Sequence, residues 1–188
     1  MNTSGAVTMW VYVVIAQPCG VTDTVARAVA RAVDWSYEHH ARPANEVDPS
    51  EIRTPSVVFL GGPTHRREMG ETLRCFLDHM PDRMVSQCLF AAFDTRFHDS
   101  PIVTGSSARH IQRAIEGRGG RNLVPGESFF VIRRDGPLRE GEVERARMWA
   151  SGVIAAAVRE LHDVEVRPGT LTTSAPHSWV EALVAAPS

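Results

Sequence analysis

The runs Met9–Ala16 and Ser56–Leu60 carry no polar alternation, the pattern of strands buried on both faces, as in a parallel sheet. Between and after them apolar residues recur at three- and four-residue intervals, as in Met69, Leu73, Phe76 and Leu77. Taken in order, the pattern predicts a strand near Thr8–Ala16, a helix from about Thr22 to Val33, a short strand near Ser36–His40 and a strand at Ser56–Leu60. It continues with a helix near Gly70–Met80, a strand near Gln87–Phe93, a helix near Ala108–Glu116, a strand near Ser128–Ile132 and a long helix from about Glu140 to Leu161. Strands alternating with helices in this way predict an α/β doubly wound sandwich, a five-stranded parallel sheet with helices on both faces. In the last helix Val143, Ala146, Trp149, Ala150, Val153, Ile154 and Ala157 form one apolar stripe, which reads as core.

Residues 1–166 are expected to make one domain. The tail, 167–188, shifts to Pro, Thr, Ser and Ala and is expected to be partly disordered, with only His177–Ala185 able to form a short helix. A length of 188 residues with 43% hydrophobic content suits a single core. All 20 basic residues are Arg, so a lysine-dependent phosphate loop of the Walker type is excluded, and a net charge of −2 with interspersed signs gives no nucleic-acid footprint. Met9–Ala16 is too short to cross a bilayer, and no charged lead precedes it, so neither a membrane nor a secretion signal is expected and the cytoplasm is. Cys19, Cys75 and Cys88 are widely spaced and predict reduced thiols rather than disulfides or zinc.

In a doubly wound sheet, ligands bind beyond the carboxyl ends of the strands. Gly61-Gly62-Pro63-Thr64-His65 leaves one such strand, and it is joined by Ala91-Ala92-Phe93-Asp94-Thr95-Arg96 and by Gly136-Pro137-Leu138-Arg139-Glu140-Gly141-Glu142-Val143-Glu144-Arg145-Ala146-Arg147. With these motifs the chain resembles the flavodoxin-like proteins from about Thr8 to about Leu161, the second and third motifs pointing to a bacterial branch. The resemblance implies FMN held by three loops, electron transfer to an unknown redox partner protein, and no side-chain catalyst.

The first loop is Gln17-Pro18-Cys19-Gly20-Val21-Thr22, between the first strand and the first helix, where backbone N–H groups and the helix dipole can hold a phosphate. Relatives present hydroxyls and an amide around a Gly there; aligned on Gly20, this chain keeps only Gly20 and Thr22. Pro18 lacks an N–H, Asp23 opposes a dianion, and Thr22 or Asp23 could equally serve as a helix cap. The second loop, Pro63-Thr64-His65-Arg66, would lie against the isoalloxazine ring, with His65 stacking where relatives put an aromatic. Arg66 and Arg67 predict a less reducing flavin than in an acidic flavodoxin. The third, Phe93-Asp94-Thr95-Arg96, is read as the start of a long loop reaching Thr104-Gly105-Ser106-Ser107, which caps the next helix; its amides would face the flavin edge, and Asp94 and Arg96 could pair as a brace. His98 and Asp99 are better read as a solvated loop than as a metal site, and Gly117-Arg118-Gly119-Gly120 as a helix stop.

Two readings follow. One is an FMN electron carrier, with a variant that reduces its own quinone or nitro substrate and would need a homodimer to wall the pocket. The alternative keeps the fold but has lost the flavin, leaving a binding or regulatory module.

Overall fold

The computed structural model describes residues 7–17, 20–33, 41–64, 69–98, 105–133, 136–165 and 181–184. Its strands are β1 Val7–Ile15, β2 Ala41–Pro43, β3 Ser56–Pro63, β4 Cys88–Phe97, β5 Arg121–Asn122, β6 Glu127–Val131 and β7 Glu181–Val184; its helices are α1 Gly20–Val33, α2 Glu71–His79, α3 Asp82–Gln87, α4 Ser107–Gly117 and α5 Glu142–Glu165. The sheet order is β2-β1-β3-β4-β5, with β6 also on β4. All of these pairings are parallel, so the doubly wound reading holds.

The fifth position of the sheet is divided. β5 pairs with Leu89 and Phe90 of β4, and β6 pairs with Phe93–Phe97 farther along the same strand. β7 adds an antiparallel strand beside Val7–Trp10 of β1. The short helix expected across His177–Ala185 is therefore replaced, at Glu181–Val184, by a strand that uses the open backbone edge of β1.

Alternate residues of each central strand serve opposite cores, which is why the sequence shows unbroken apolar runs. Val57 and Phe59 of β3 and Ala91 and Phe93 of β4 pack with Val25 and Val29 of α1 and with Ala146, Ala150 and Val153 of α5. Val58, Leu60, Phe90 and Ala92 pack instead with Leu73 and Phe76 of α2, Met84 and Val85 of α3, and Ile111 and Ile115 of α4. The predicted α5 stripe is buried except at two positions: Val143 is exposed and Trp149 half-buried. Trp149 meets Phe59, Phe93 and Phe129 edge to face, with centroids 5.6, 6.1 and 5.9 Å apart. Edge-to-face pairs of this kind add about 0.5–1.5 kcal/mol each beyond area burial.

Several boundaries move. The second strand forms at Ala41–Pro43, while Ser36–His40 lies outside the described residues. α3 was not anticipated. Gly117–Gly120 is a helix stop as read: Gly119 takes φ 76, and the N–H groups of Gly119 and Gly120 donate to Glu116 O and Ile115 O. The largest shift concerns the carboxyl ends of β3 and β4. β3 runs through Gly61 and Gly62 to Pro63, and β4 through Asp94, Thr95 and Arg96 to Phe97, so these residues are strand and not loop.

Two glycines make that extension possible. A Cβ on Gly61 would stand 2.0 Å from Phe93 Cζ, since the two residues face each other in register and the ring lies over the glycine. A Cβ on Gly62 would reach 3.0 Å from Leu73 of α2, and Ser107 of α4 lies next to it.

Candidate functional site

At the carboxyl edge two helices begin, on opposite faces of the sheet, in very different ways. α1 opens on Gly20, whose φ of 69 is the left-handed conformation that glycine tolerates, and a Cβ there would meet nothing within 4 Å. Among the described residues no side chain accepts a hydrogen bond from the N–H groups of Gly20, Val21 or Thr22. The Thr22 and Thr95 hydroxyls, both buried, lie 2.6 Å apart and tie the first turn of α1 to β4. Two hydroxyls bring two protons and their mutual bond uses one, so the pair retains a donor. Asp23, in the same turn, is paired with Arg27 at 2.8 Å, which offsets its charge. Gln17 is exposed at the mouth of this turn, and Val21 is half-buried.

α4 opens on protein acceptors. Asp94, fully buried, accepts three hydrogen bonds on Oδ2, from Ser106 Oγ at 2.6 Å, Thr64 Oγ1 at 3.0 Å and Ala108 N at 3.0 Å. Ser107 N donates to Thr64 Oγ1 at 2.9 Å and Arg109 N to Ser106 Oγ at 3.2 Å. The first turn of α4 thus has its N–H groups committed to Asp94, Thr64 and Ser106. A negative carboxylate at a helix start also complements the dipole. Asp94 Oδ1 accepts no hydrogen bond among the described residues and has Arg96 Nε 3.9 Å away.

The expected Asp94–Arg96 brace is present at that distance, but Arg96 is held chiefly by other groups. Its Nε donates to Ser128 Oγ at 2.9 Å and its guanidinium lies 5.2 Å over the Phe130 ring. The third motif builds the adjoining framework. Glu142 Oε2 accepts from Phe130 N at 2.7 Å, and Arg145 bonds Glu142, Glu127 and Ser128 O while lying 4.6 Å over Phe129. Burial opposes the charge on Arg145, yet its hydrogen bonds to Glu142 and Glu127 raise its pKa above the ordinary arginine value. This segment fixes β6 against α5, and its first residue, Gly136, stands close to Val21 of α1.

Of the candidate site residues, Gln17, Gly20, Val21, Thr22, Pro63, Thr64, Phe93, Asp94, Thr95 and Arg96 are described, and all stand at or near the carboxyl edge. Cys19, His65 and Arg66 lie outside the described residues, as do Pro18 and Arg67. Two expectations are corrected. The amides of Asp94–Arg96 do not face a ligand, because this part of β4 is laddered between β3 and β6. Phe93 is a core residue under Gly61, with its ring 6.3 Å from Phe129. Thr64, expected near the ring, has its hydroxyl proton committed to Asp94. His98 meets Phe130 edge to face with ring centroids 4.6 Å apart, and among the described residues no cluster of His, Cys, Asp and Glu could hold a metal. The link sequence reasoning missed is Thr22 to Thr95, separated by 73 positions, for which no local signal exists.

An open parallel sheet in the order β2-β1-β3-β4-β5, with helices on both faces and the first βα turn at the edge, defines a doubly wound α/β protein. More narrowly, the fold is flavodoxin-like. An archaeal flavodoxin superposes with a TM-score of 0.63 at 13% identity, covering 79% of this chain and 98% of that one. Oxidised flavodoxin 2 from Bacillus cereus gives 0.62 at 16% identity, covering 80% and 99%, and a WrbA-like flavodoxin protein from Agrobacterium tumefaciens gives 0.57 at 15%, covering 81% and 99%. No protein-family model matches the chain, and no curated protein matches it in sequence. Among the described residues no helix is long and apolar enough to cross a membrane.

Proposed function

We propose that the chain binds FMN noncovalently at this carboxyl edge and carries electrons for a partner protein. The observation that supports the reading best is the start of α1: a left-handed Gly20 on which a Cβ would meet nothing within 4 Å, first-turn N–H groups that no side chain among the described residues caps, and a buried Thr22–Thr95 hydroxyl pair with one proton to donate. Backbone N–H groups and a hydroxyl donor at a helix start are the kind of groups that receive a phosphate dianion. Gly20, Val21 and Thr22 would hold the phosphate through backbone N–H groups and Thr22 through its hydroxyl, with Thr95 orienting it; Pro63 and Thr64 would border the ring. Bound FMN would supply the one- and two-electron chemistry, the protein supplying orientation and charge.

Titration of the purified chain with FMN tests this. Saturable binding in the micromolar range or tighter, with quenched flavin fluorescence and a perturbed visible spectrum, is the expected result; no binding at high FMN would refute it. With FMN bound, replacing Arg66 and Arg67 by Ala should lower the midpoint potential, because cations near the ring favour the reduced, anionic flavin.

The Asp94 knot favours a second reading, a binding or regulatory module without flavin. It commits the Thr64 hydroxyl, and the sheet commits the 94–96 backbone, so among the described residues these groups are already taken on the ring side.

A further inference from the structure

The groups that meet at Asp94 come from three separate segments. Thr64 ends the exit from β3, Ser106 and Ala108 begin α4, and Asp94 itself sits in β4. Thr64 and Ser106 stand 42 positions apart in the chain, yet one carboxylate oxygen accepts a hydroxyl proton from each, at 3.0 and 2.6 Å. A second link closes the ring, since Thr64 Oγ1 in turn accepts from Ser107 N at 2.9 Å. Ser106 does the same on its side, accepting from Arg109 N at 3.2 Å. Each hydroxyl therefore donates inward to Asp94 and accepts from the first turn of α4. The directions follow from the N–H groups, which can only donate: each hydroxyl accepts from one of them and gives its own proton to the Asp94 oxygen.

We propose that Asp94 is a positioning residue that locks the β3 exit and the start of α4 into one unit, so that the two segments flanking the ring side of the site move together. The inference rests on the flavin reading for its consequence, but not for its physical content. Charge-assisted hydrogen bonds at a buried carboxylate are about twice as strong as neutral ones, so neither segment can open without breaking bonds to the same oxygen. Loss of either hydroxyl weakens the hold on the other segment as well. A carboxylate serving only as the cap of α4 would not reach Thr64.

The coupling is readable in the chain without flavin, by hydrogen exchange at the amides of Thr64, Ala108 and Arg109. Thr64 N donates to Thr95 O rather than to Ser106, and Arg109 N donates to Ser106 Oγ rather than to Thr64. Ser106→Ala should nevertheless speed exchange at Thr64, and Thr64→Val should speed it at Ala108 and Arg109, by about tenfold each for the loss of one strong hydrogen bond. Combining the two in a double-mutant cycle should give less than the product of the single effects, and the non-additivity should vanish in an Asp94→Asn background. Ser86→Ala, which removes an exposed hydrogen bond to Arg83 O elsewhere, serves as the control and should change none of these amides. Should Asp94→Asn fail to fold, the Thr64→Val and Ser106→Ala cross-effects still decide the matter: exchange that rises only beside each mutation overturns the proposal.

Flavin binding then supplies an independent reading. At a temperature where far-UV circular dichroism is native, Thr64→Val and Ser106→Ala should each weaken FMN binding and alter the visible circular dichroism of the bound flavin. If the unmutated chain binds no FMN, the functional reading fails while the exchange result still stands or falls alone. If it binds FMN and neither variant changes affinity or spectrum, the positioning role is overturned.

Discussion

α1 and α4 begin within the same sheet edge, and the contrast between them identifies where an anion could bind. The start of α4 is closed: Asp94, Thr64 and Ser106 accept from its first turn, and a buried negative charge stands against it. The start of α1 is open, with a left-handed glycine, no capping side chain among the described residues, and a hydroxyl pair below it. Both ends carry the partial positive charge of a helix N-terminus. One of them is met by the protein's own carboxylate; the other has no capping side chain among the described residues.

Removing the carboxylate breaks the closed end. Asp94→Ala leaves the Thr64 and Ser106 hydroxyls and Ala108 N without their acceptor in the interior, and should cost about 3 kcal/mol or more in urea unfolding. Two glycine substitutions sharpen the contrast next. Gly61→Ala, which collides with the Phe93 ring at 2.0 Å, should cost about 2–3 kcal/mol whether or not flavin is present. Gly20→Ala meets no neighbouring atom and should cost only about 1–2 kcal/mol, from its left-handed backbone alone, while weakening FMN binding more than Gly61→Ala does.

Smaller effects follow at the open end. Thr95→Val keeps the shape but removes one of the paired hydroxyls, and should cost about 1 kcal/mol in stability and about tenfold in FMN affinity. Asp23→Asn, which breaks a partly exposed pair with Arg27, should change stability by no more than about 0.5 kcal/mol and leave FMN binding equal or slightly tighter, as titrations at low salt would read.

The layering of this fold was legible because its central strands are buried twice over: Val57–Leu60 shows an unbroken apolar run for the physical reason that consecutive residues feed opposite cores. The ends of β3 and β4 were less legible. Asp94, Thr95 and Arg96 look like loop in a local window, and they lie buried in a strand only because Ser106, Thr22 and Ser128, at 12, 73 and 32 positions' distance, satisfy them. Gly61 and Gly62 read as a turn, whereas the structure uses their missing side chains to let Phe93 and Leu73 close in. The third motif, Gly136–Arg147, reads by its resemblance alone; in the structure Glu142 and Arg145 serve the β6–α5 junction. Gly20 and Thr22, read from position alone, do stand at the open helix start.

The most direct measurement is an amide chemical-shift titration of the chain with FMN and, in parallel, with riboflavin, which lacks the phosphate. The account predicts that FMN moves Gly20, Val21 and Thr22 strongly and riboflavin moves them little, with Ser107 and Ala108 showing no phosphate-dependent shift in either case. Equal shifts from both ligands at α1, or a phosphate-dependent shift at α4 instead, would contradict it.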